Sequence, residues 1–186
     1  MRTHLVVLCF LSVGCHAPMA SSANEPSHDR ATVEFDPEAR LEALGITLTQ
    51  PASPVANYVH AVRSGNLVFL AGKGPTKPEG GFVTGKVGRD LDVAAGQHAA
   101  RLVGIAQLAV LKAELGDLTR VQRIVKVLGM VQCTEDFTQQ PEVMNGYSDL
   151  MVEVFGERGR HARSAIGVGA LPRNIAVEVE MIVEVR

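Results

Sequence analysis

Cysteine, tryptophan and unbalanced charge are scarce or absent in this chain, and each shortage argues against a class of protein. The 186 residues include three cysteines (Cys9, Cys15 and Cys133), too few and too widely spaced for a disulfide framework or a thiolate metal site. Tryptophan is absent and aromatic residues make up 4% of the chain, so aliphatic side chains must fill the core. The formal net charge is -2, and no basic run is interleaved with aromatic residues, so nucleic-acid binding is not expected.

The remaining composition is that of one soluble globular domain. Hydrophobic residues make up 46% of the chain and charged residues 20%, which is ordinary for such proteins. The length fits a single domain with an N-terminal appendage. The six histidines are scattered, and no two have a metal-ligand spacing such as i, i+4 on a helix, so no metal site is predicted.

Residues 1–23 have the pattern of an export signal. Arg2 gives a basic start, and the apolar run Leu5–Val13 follows it. This run is about nine residues long, far below the roughly 20 needed to span a bilayer, so it predicts a signal and not a transmembrane helix. We therefore expect a periplasmic or secreted protein with a possible lipid anchor.

Three ways of processing this segment stay open. Cys15 ends a lipoprotein-like box and is the candidate for lipidation. Cleavage after Ala20 or Ala23 is the second route. If translation starts at Met19, the apolar run is not made and the protein is cytoplasmic. In each case residues 24–35 are predicted to be a polar linker before a domain over residues 36–186.

Cap and turn signals divide this domain into helices and strands. Helices are predicted over 37–44, 92–115 and 141–156, and strands over 57–62, 67–71, 121–131, 163–168 and 177–185. This order predicts an α+β domain with helices on one face of a mixed sheet. The other face is left exposed, so self-association is expected, with these apolar candidates for the exposed face: Ile124, Leu128, Met130 and Ile182.

An arginine and a glutamate stand out in the last two predicted strands. Arg163 opens the first of them, and Glu178 lies in the alternating run Val177–Glu180 of the second. We expect these strands to be neighbours, with the two side chains close together. A guanidinium can fork onto a small carboxylate while a glutamate polarises water, which is what hydrolysis of a carboxylated imine requires. The alternative is an ordinary cross-strand ion pair of Arg163 with Glu178 or Glu180.

These residues resemble the Rid/YjgF family of reactive-intermediate imine deaminases, also known as endoribonuclease L-PSP-like proteins. The most specific match is Ala162-Arg163-Ser164, followed by Leu171-Pro172 and Val177–Glu180. Supporting matches are Tyr58–Val62, Gly65–Phe69, Gly72–Pro75 and Asn145, so that the resemblance extends over residues 55–185.

The resemblance implies a chorismate-mutase-like α+β subunit that assembles as a homotrimer with pockets at the subunit interfaces. It implies that Arg163 binds the carboxylate of a 2-imino acid and that Glu178 positions and polarises the attacking water. Tyr58 and Asn145 would line the pocket, and no cofactor would be used. Such a site needs only proton placement and a held substrate.

Three pocket positions depart from the family pattern. Ala165 stands where a cysteine is common, Lys73 where glutamine is usual, and Asn57 where proline is common. The N-terminal helix and the extra residues around 134–144 also indicate a divergent subgroup. The resemblance therefore predicts the fold of the chain but not its substrate.

Three functions remain open from the sequence. The first is hydrolytic deamination of 2-imino or enamine acids to 2-oxo acids and ammonia. The second is a trimer that binds or senses a small carboxylate through Arg163 without turnover. The third, an endoribonuclease, is suggested only by the older family name, and the acidic net charge and scarce aromatics oppose it.

Overall fold

The computed structural model of the protein describes residues 35–54 and 56–186. The predicted export signal, its lipidation at Cys15 and the linker up to residue 34 lie outside the described residues, so they stay predictions. No helix within the described ranges combines the length and apolar character needed to cross a membrane.

The described part of the chain contains three α-helices and five strands, joined by loops and short 3₁₀ turns. In chain order they are α1 (Pro37–Ala43), β1 (Ala61–Ser64), β2 (Leu67–Lys73), α2 (Val93–Leu115), β3 (Val121–Gln132), α3 (Gln140–Phe155), β4 (Ala162–Val168) and β5 (Val177–Val185). The α+β architecture predicted from the sequence is confirmed.

The helix ends follow their local sequence signals. Asp36 caps α1 by accepting hydrogen bonds from two first-turn amides at 3.0 and 2.9 Å. Asp92 caps α2 by accepting from the amide of Ala95 at 2.7 Å. Gly116, with a φ of 76°, ends α2 in the left-handed conformation that glycine adopts readily. The predicted boundaries of these two helices are therefore confirmed to within one residue.

The sheet has the strand order β1-β2-β5-β3-β4, with β3 and β4 parallel and the other neighbours antiparallel. The prediction that Arg163 and Glu178 lie in adjacent strands is wrong, because β3 separates β4 from β5. The physical reason is the parallel pairing of β3 with β4. Parallel strands need a long crossover, which α3 provides, and this crossover carries β4 to the sheet edge beyond β3.

One face of the sheet packs against α2 and α3. The alternate β5 residues that point to the helices are all buried: Val177, Val179, Met181, Val183 and Val185. Close helix packing explains two glycines. A Cβ at Gly129 in β3 would collide with the side chain of Met144, and one at Gly146 in α3 would collide with the backbone carbonyl of Gln97 in α2. These two contacts fix α3, which carries Asn145, against β3 of the sheet and against α2.

The opposite face of the sheet, which we call the open face, is apolar and incompletely covered. Its members include three side chains that are 42–54% exposed, namely Val62, Phe69 and Ile166, and three half-buried ones, Leu128, Met130 and Ile182. Of the four residues expected here, Ile124 is a wrong prediction, because it is fully buried opposite Val183. Register irregularities on both sides of Ile124 interrupt the simple alternation along β3.

Candidate functional site

Arg163 lies on the helix side of the sheet and is bound to α3. It pairs in register with Val127 of β3, which is fully buried under the helices. Its Nη1 donates to Asn145 Oδ1 and to Ser148 Oγ, both at 3.0 Å, and its Nη2 donates to the carbonyl of Pro141 at 3.2 Å. The predicted grouping of Arg163 with Asn145 is thus present in the structure.

These contacts leave part of the guanidinium available for a ligand. Arginine has five N–H donors. Within the described ranges, three donors are taken up by Asn145, Ser148 and Pro141, which leaves Nε–H and one Nη2–H. Because Nε and Nη2 are neighbours on one planar group, they form a fork that matches the two oxygens of a carboxylate.

A serine and a histidine support this arginine. Ser148 Oγ is 3.1 Å from His161 Nε2, and His161 Nδ1 is 2.7 Å from the carbonyl oxygen of Gly159. Since the carbonyl oxygen can only accept, Nδ1 carries the proton and Nε2 accepts from Ser148. Burial and the nearby Arg163 lower the pKa of His161, which favours this neutral form. The lone pairs of Ser148 Oγ are then directed to Arg163.

Glu178 lies on the open side of the sheet. Its neighbours Val177 and Val179 are buried under the helices, and Glu178 is half-buried opposite Met130 of β3. A Cβ at Gly72 would collide with the Glu178 carboxylate, so the glutamate packs directly on the β2 backbone at that point. Glycine at position 72 is therefore required for this placement.

Glu178 interacts electrostatically with Lys73, which in turn contacts His60. Burial raises the pKa of Glu178, Glu180 raises it further, and Lys73 lowers it. Burial lowers the pKa of Lys73, an effect that Glu178 opposes. Lys73 Nζ is 2.6 Å from His60 Nδ1, and His60 Nε2 is 2.6 Å from the carbonyl oxygen of Ala52.

Tyr58 borders the same cluster. Its ring lies edge-on to the ring of His60, with 6.4 Å between the centroids. The side chain is 48% exposed, and the residue lies in the loop before β1 and not in a strand as predicted. Tyr58 is therefore next to His60, the histidine that contacts Lys73.

The candidate residues thus form two separate clusters, with Arg163 and Glu178 on opposite sides of the sheet. The arginine cluster is Arg163, Asn145, Ser148 and His161, and the glutamate cluster is Glu178, Lys73, His60 and Tyr58. The alternative of an ion pair between Arg163 and Glu178 or Glu180 is also wrong, because within the described chain every partner of Arg163 is uncharged. A single subunit does not bring both clusters into one pocket.

Sequence reasoning missed Ser148 and His161 as members of the site. Their spacing carries a weak signal, because Ser148 is three residues after Asn145 on a helix and His161 is two residues before Arg163 on a strand. Such spacings place residues on one face without saying what they touch. Cys133, interpreted from the sequence as a small buried side chain, is buried in the core.

Comparisons with known proteins agree with this fold. A family model described as "YjgF/chorismate mutase-like, putative endoribonuclease" matches residues 38–185. Protein TCP17 of Trypanosoma cruzi is 46% identical over 147 residues, which cover 78% of this chain and 92% of that protein. The crystal structure of Atu1372 from Agrobacterium tumefaciens, a protein of unknown function, is 45% identical and aligns with a TM-score of 0.75 over 81% of this chain and 94% of its own. A "putative endoribonuclease" from Shewanella oneidensis MR-1 is 31% identical, with a TM-score of 0.77 over 81% of this chain and 99% of its own.

Proposed function

Because the chain belongs to the YjgF/chorismate mutase-like family, we propose that it hydrolyses reactive 2-imino or enamine acids to 2-oxo acids and ammonia. Family membership confirms the Rid/YjgF resemblance and supports a Rid-like function in the broad sense. The observation that carries the finer proposal is the Nε and Nη2 fork of Arg163, which is not filled by any residue of the ranges 35–54 and 56–186 and is held in place by Asn145 and Ser148. A fork of this kind orients a small carboxylate.

The second part of the proposal is that the site is completed between subunits of a homotrimer. Arg163 and Glu178 lie on opposite sides of the sheet, so one ligand could reach both only if two copies of the chain met. The open face supplies an apolar surface for such a contact, since Phe69 pairs across the sheet with Val62 and Ile182. Exposed apolar faces of this kind are typical of association surfaces.

In this arrangement each group has a defined task. Arg163 binds the substrate carboxylate and fixes the imine carbon near Glu178 of a neighbouring subunit. Glu178 takes a proton from water as the oxygen attacks that carbon, and the nitrogen gains protons and leaves as ammonia. The net change is one imine and one water converted to one 2-oxo acid and one ammonia. The raised pKa of Glu178 suits it to this proton transfer near neutral pH.

Substituting Phe69 by glutamate is expected to prevent assembly while leaving the subunit folded. A charge on the open face would have to be buried in the interface without a partner, which costs several kcal/mol. Leu44→Glu is the matched control, because Leu44 is 39% exposed, close to the 42% of Phe69, but follows α1 on the helix side.

Sedimentation measures the oligomeric state of each variant, and far-UV circular dichroism measures whether its subunit is folded. We expect the wild type and Leu44→Glu to sediment as trimers and Phe69→Glu as a folded monomer. A wild-type protein that stays monomeric at micromolar concentration would remove the basis for a pocket shared between subunits.

Ammonia release from freshly generated 2-iminobutyrate tests the deaminase proposal. Purified protein with residues 36–186 intact should release ammonia faster than buffer alone, and calorimetry with a small carboxylate should show binding that depends on Arg163. Carboxylate binding without accelerated ammonia release would favour the second candidate, a binding or sensor trimer. That candidate is supported by the Arg163 fork as well, because the fork binds a carboxylate whether or not turnover follows.

A further inference from the structure

Lys73 is held in an arrangement that differs from that of an ordinary surface lysine. Its Nζ is 2.6 Å from His60 Nδ1, and the imidazole is itself fixed by the contact of Nε2 with the Ala52 carbonyl at 2.6 Å. The carbonyl can only accept, so Nε2 carries a proton and Nδ1 is the acceptor for Lys73. A nucleophile within hydrogen-bond reach of a base, with that base oriented by a third group, is the arrangement of an activated nucleophile.

The pair can hold a neutral amine beside its base. If the proton moves from Lys73 Nζ to His60 Nδ1, the single lone pair of the amine accepts from the imidazolium until the amine turns to the substrate, and Nε2 still donates to the Ala52 carbonyl. Both lysine and histidine are half-buried, and burial lowers the pKa of Lys73. Glu178 opposes this effect, because its charge raises the pKa of Lys73.

Lys126 is a half-buried lysine whose contact is a hydroxyl and not a basic side chain, and it serves as a comparison for Lys73. Its Nζ donates to the hydroxyl of Ser164 at 2.8 Å, and Ser164 offers no site that would hold a proton at neutral pH. The contact with an imidazole therefore distinguishes Lys73 from this neighbour in the same sheet.

We propose that Lys73 is a catalytic nucleophile that forms a Schiff base with the 2-imino acid substrate, or with the corresponding 2-oxo acid. This inference rests on the proposed deamination and changes one step of it: Lys73, and not water, attacks the imine carbon of the substrate, and Glu178 activates water only for the hydrolysis of the Schiff base. The substrate class is a 2-imino acid whose reacting carbon lies next to a carboxylate. The glutamine that is usual at this position in the family has an amide nitrogen, which cannot act in this way.

The step balances without any further reagent. The Nζ lone pair attacks the imine carbon, and the carbon–nitrogen π electrons move to the imine nitrogen, which gains a proton passed through His60. The other Nζ proton follows as the original carbon–nitrogen bond breaks, so ammonia leaves and a carbon–nitrogen double bond to Lys73 remains. Water activated by Glu178 then attacks this Schiff base, which releases the 2-oxo acid and restores the amine.

Borohydride trapping tests this proposal on the intact wild-type protein. We expect incubation with 2-oxobutyrate and borohydride at neutral pH to add one group of about 86 Da, the mass of a reduced Schiff base. Peptide mapping should place it on Lys73, with Lys126 unmodified as the internal control. The map uses unaltered protein, so the result does not depend on a variant that folds.

Two variants sharpen the assignment. Lys73→Gln, which restores the usual family residue, should lose the adduct, and His60→Gln should slow its formation about tenfold or more, because glutamine cannot take the proton. No adduct, or labelling spread over exposed lysines, would overturn the inference. The same protein is assayed for ammonia release: release without an adduct refutes the Schiff base and leaves the deaminase standing, whereas an adduct without release supports the covalent site and refutes deamination.

Discussion

Replacing Glu178 by glutamine is expected to slow ammonia release from 2-iminobutyrate about a hundredfold or more, since general-base help is commonly worth that much. Glutamine keeps the shape that packs on Gly72 but cannot accept a proton from the attacking water. The quantity to measure is kcat for steady-state ammonia release, alongside carboxylate binding by calorimetry. Binding should be nearly unchanged, because Arg163 and its partners on α3 are intact.

The pH profile provides a second readout for Glu178. Burial and Glu180 raise the pKa of Glu178. Because the carboxylate must be ionised to act as a base, the wild-type rate should fall as the pH is lowered. This fall should occur at a higher pH than the pKa of an ordinary glutamate, which is about 4.3. Glu178→Gln should lack this limb. Glu180→Gln is the matched control, because it removes the neighbouring charge and should move the limb to lower pH while keeping activity. An unchanged limb in Glu178→Gln would assign it to another group.

The same raised pKa separates loss of activity from loss of stability. A carboxyl group whose folded pKa exceeds its unfolded pKa holds more protons in the folded state between those two values. The free energy of unfolding therefore falls as pH rises through that window. Ionised Glu178 thus costs stability at neutral pH, and Glu178→Gln should unfold no more easily than the wild type. A thermal melt checks this directly.

Substituting Arg163 by lysine is expected to reduce kcat/KM about thirtyfold, which corresponds to about 2 kcal/mol for a charged hydrogen bond. Lysine keeps the charge but has three donors in place of five, so it cannot bind Asn145, Ser148, the Pro141 carbonyl and both oxygens of a carboxylate at once. Calorimetry should show weaker carboxylate binding.

The control for this substitution is Arg160→Lys, three residues earlier. Arg160 forms an exposed ion pair with Glu157 at 2.9 Å, and such pairs contribute little. The activity of the Arg160→Lys variant should stay within about twofold of the wild type. If Arg163→Lys were as active as Arg160→Lys, the result would contradict the proposal that Arg163 binds the substrate carboxylate. A binding or sensor protein would instead lose binding with Arg163→Lys and show little change with Glu178→Gln.

The sequence predicted the elements of the fold because their signals are local. Asp36 and Asp92 cap helices, Gly116 ends one, and the alternation along β5 indicates which residues face the helices. Strand order is not local. The last two strands follow each other along the chain, yet the parallel pairing of β4 with β3 places β3 between them. Consecutive strands neighbour each other about two-thirds of the time, and this pair is an exception.

The site was predicted in part for the same reason. The resemblance pointed to Arg163, Asn145, Glu178 and Tyr58, and the structure brings Arg163 to Asn145. It could not indicate that Ser148 contacts His161, because that contact joins α3 to a residue before β4 that lies 13 positions away. Lys73 was visible as a departure from the family pattern, but its contact with His60 depends on how the loop before β1 folds over β2.

Mixed trimers of two impaired variants test most directly the claim that Arg163 and Glu178 serve one pocket from different subunits. Subunits with Arg163→Lys and subunits with Glu178→Gln are co-expressed with different tags, and the mixed assemblies are purified and assayed for ammonia release. Each mixed trimer has both native residues in one of its three pockets, so the activity of the purified mixed assemblies should recover to about a third of the wild type. If the two residues instead acted within one subunit, no pocket would be native and the mixture would be no more active than the average of the two variants. That result would contradict the proposed site.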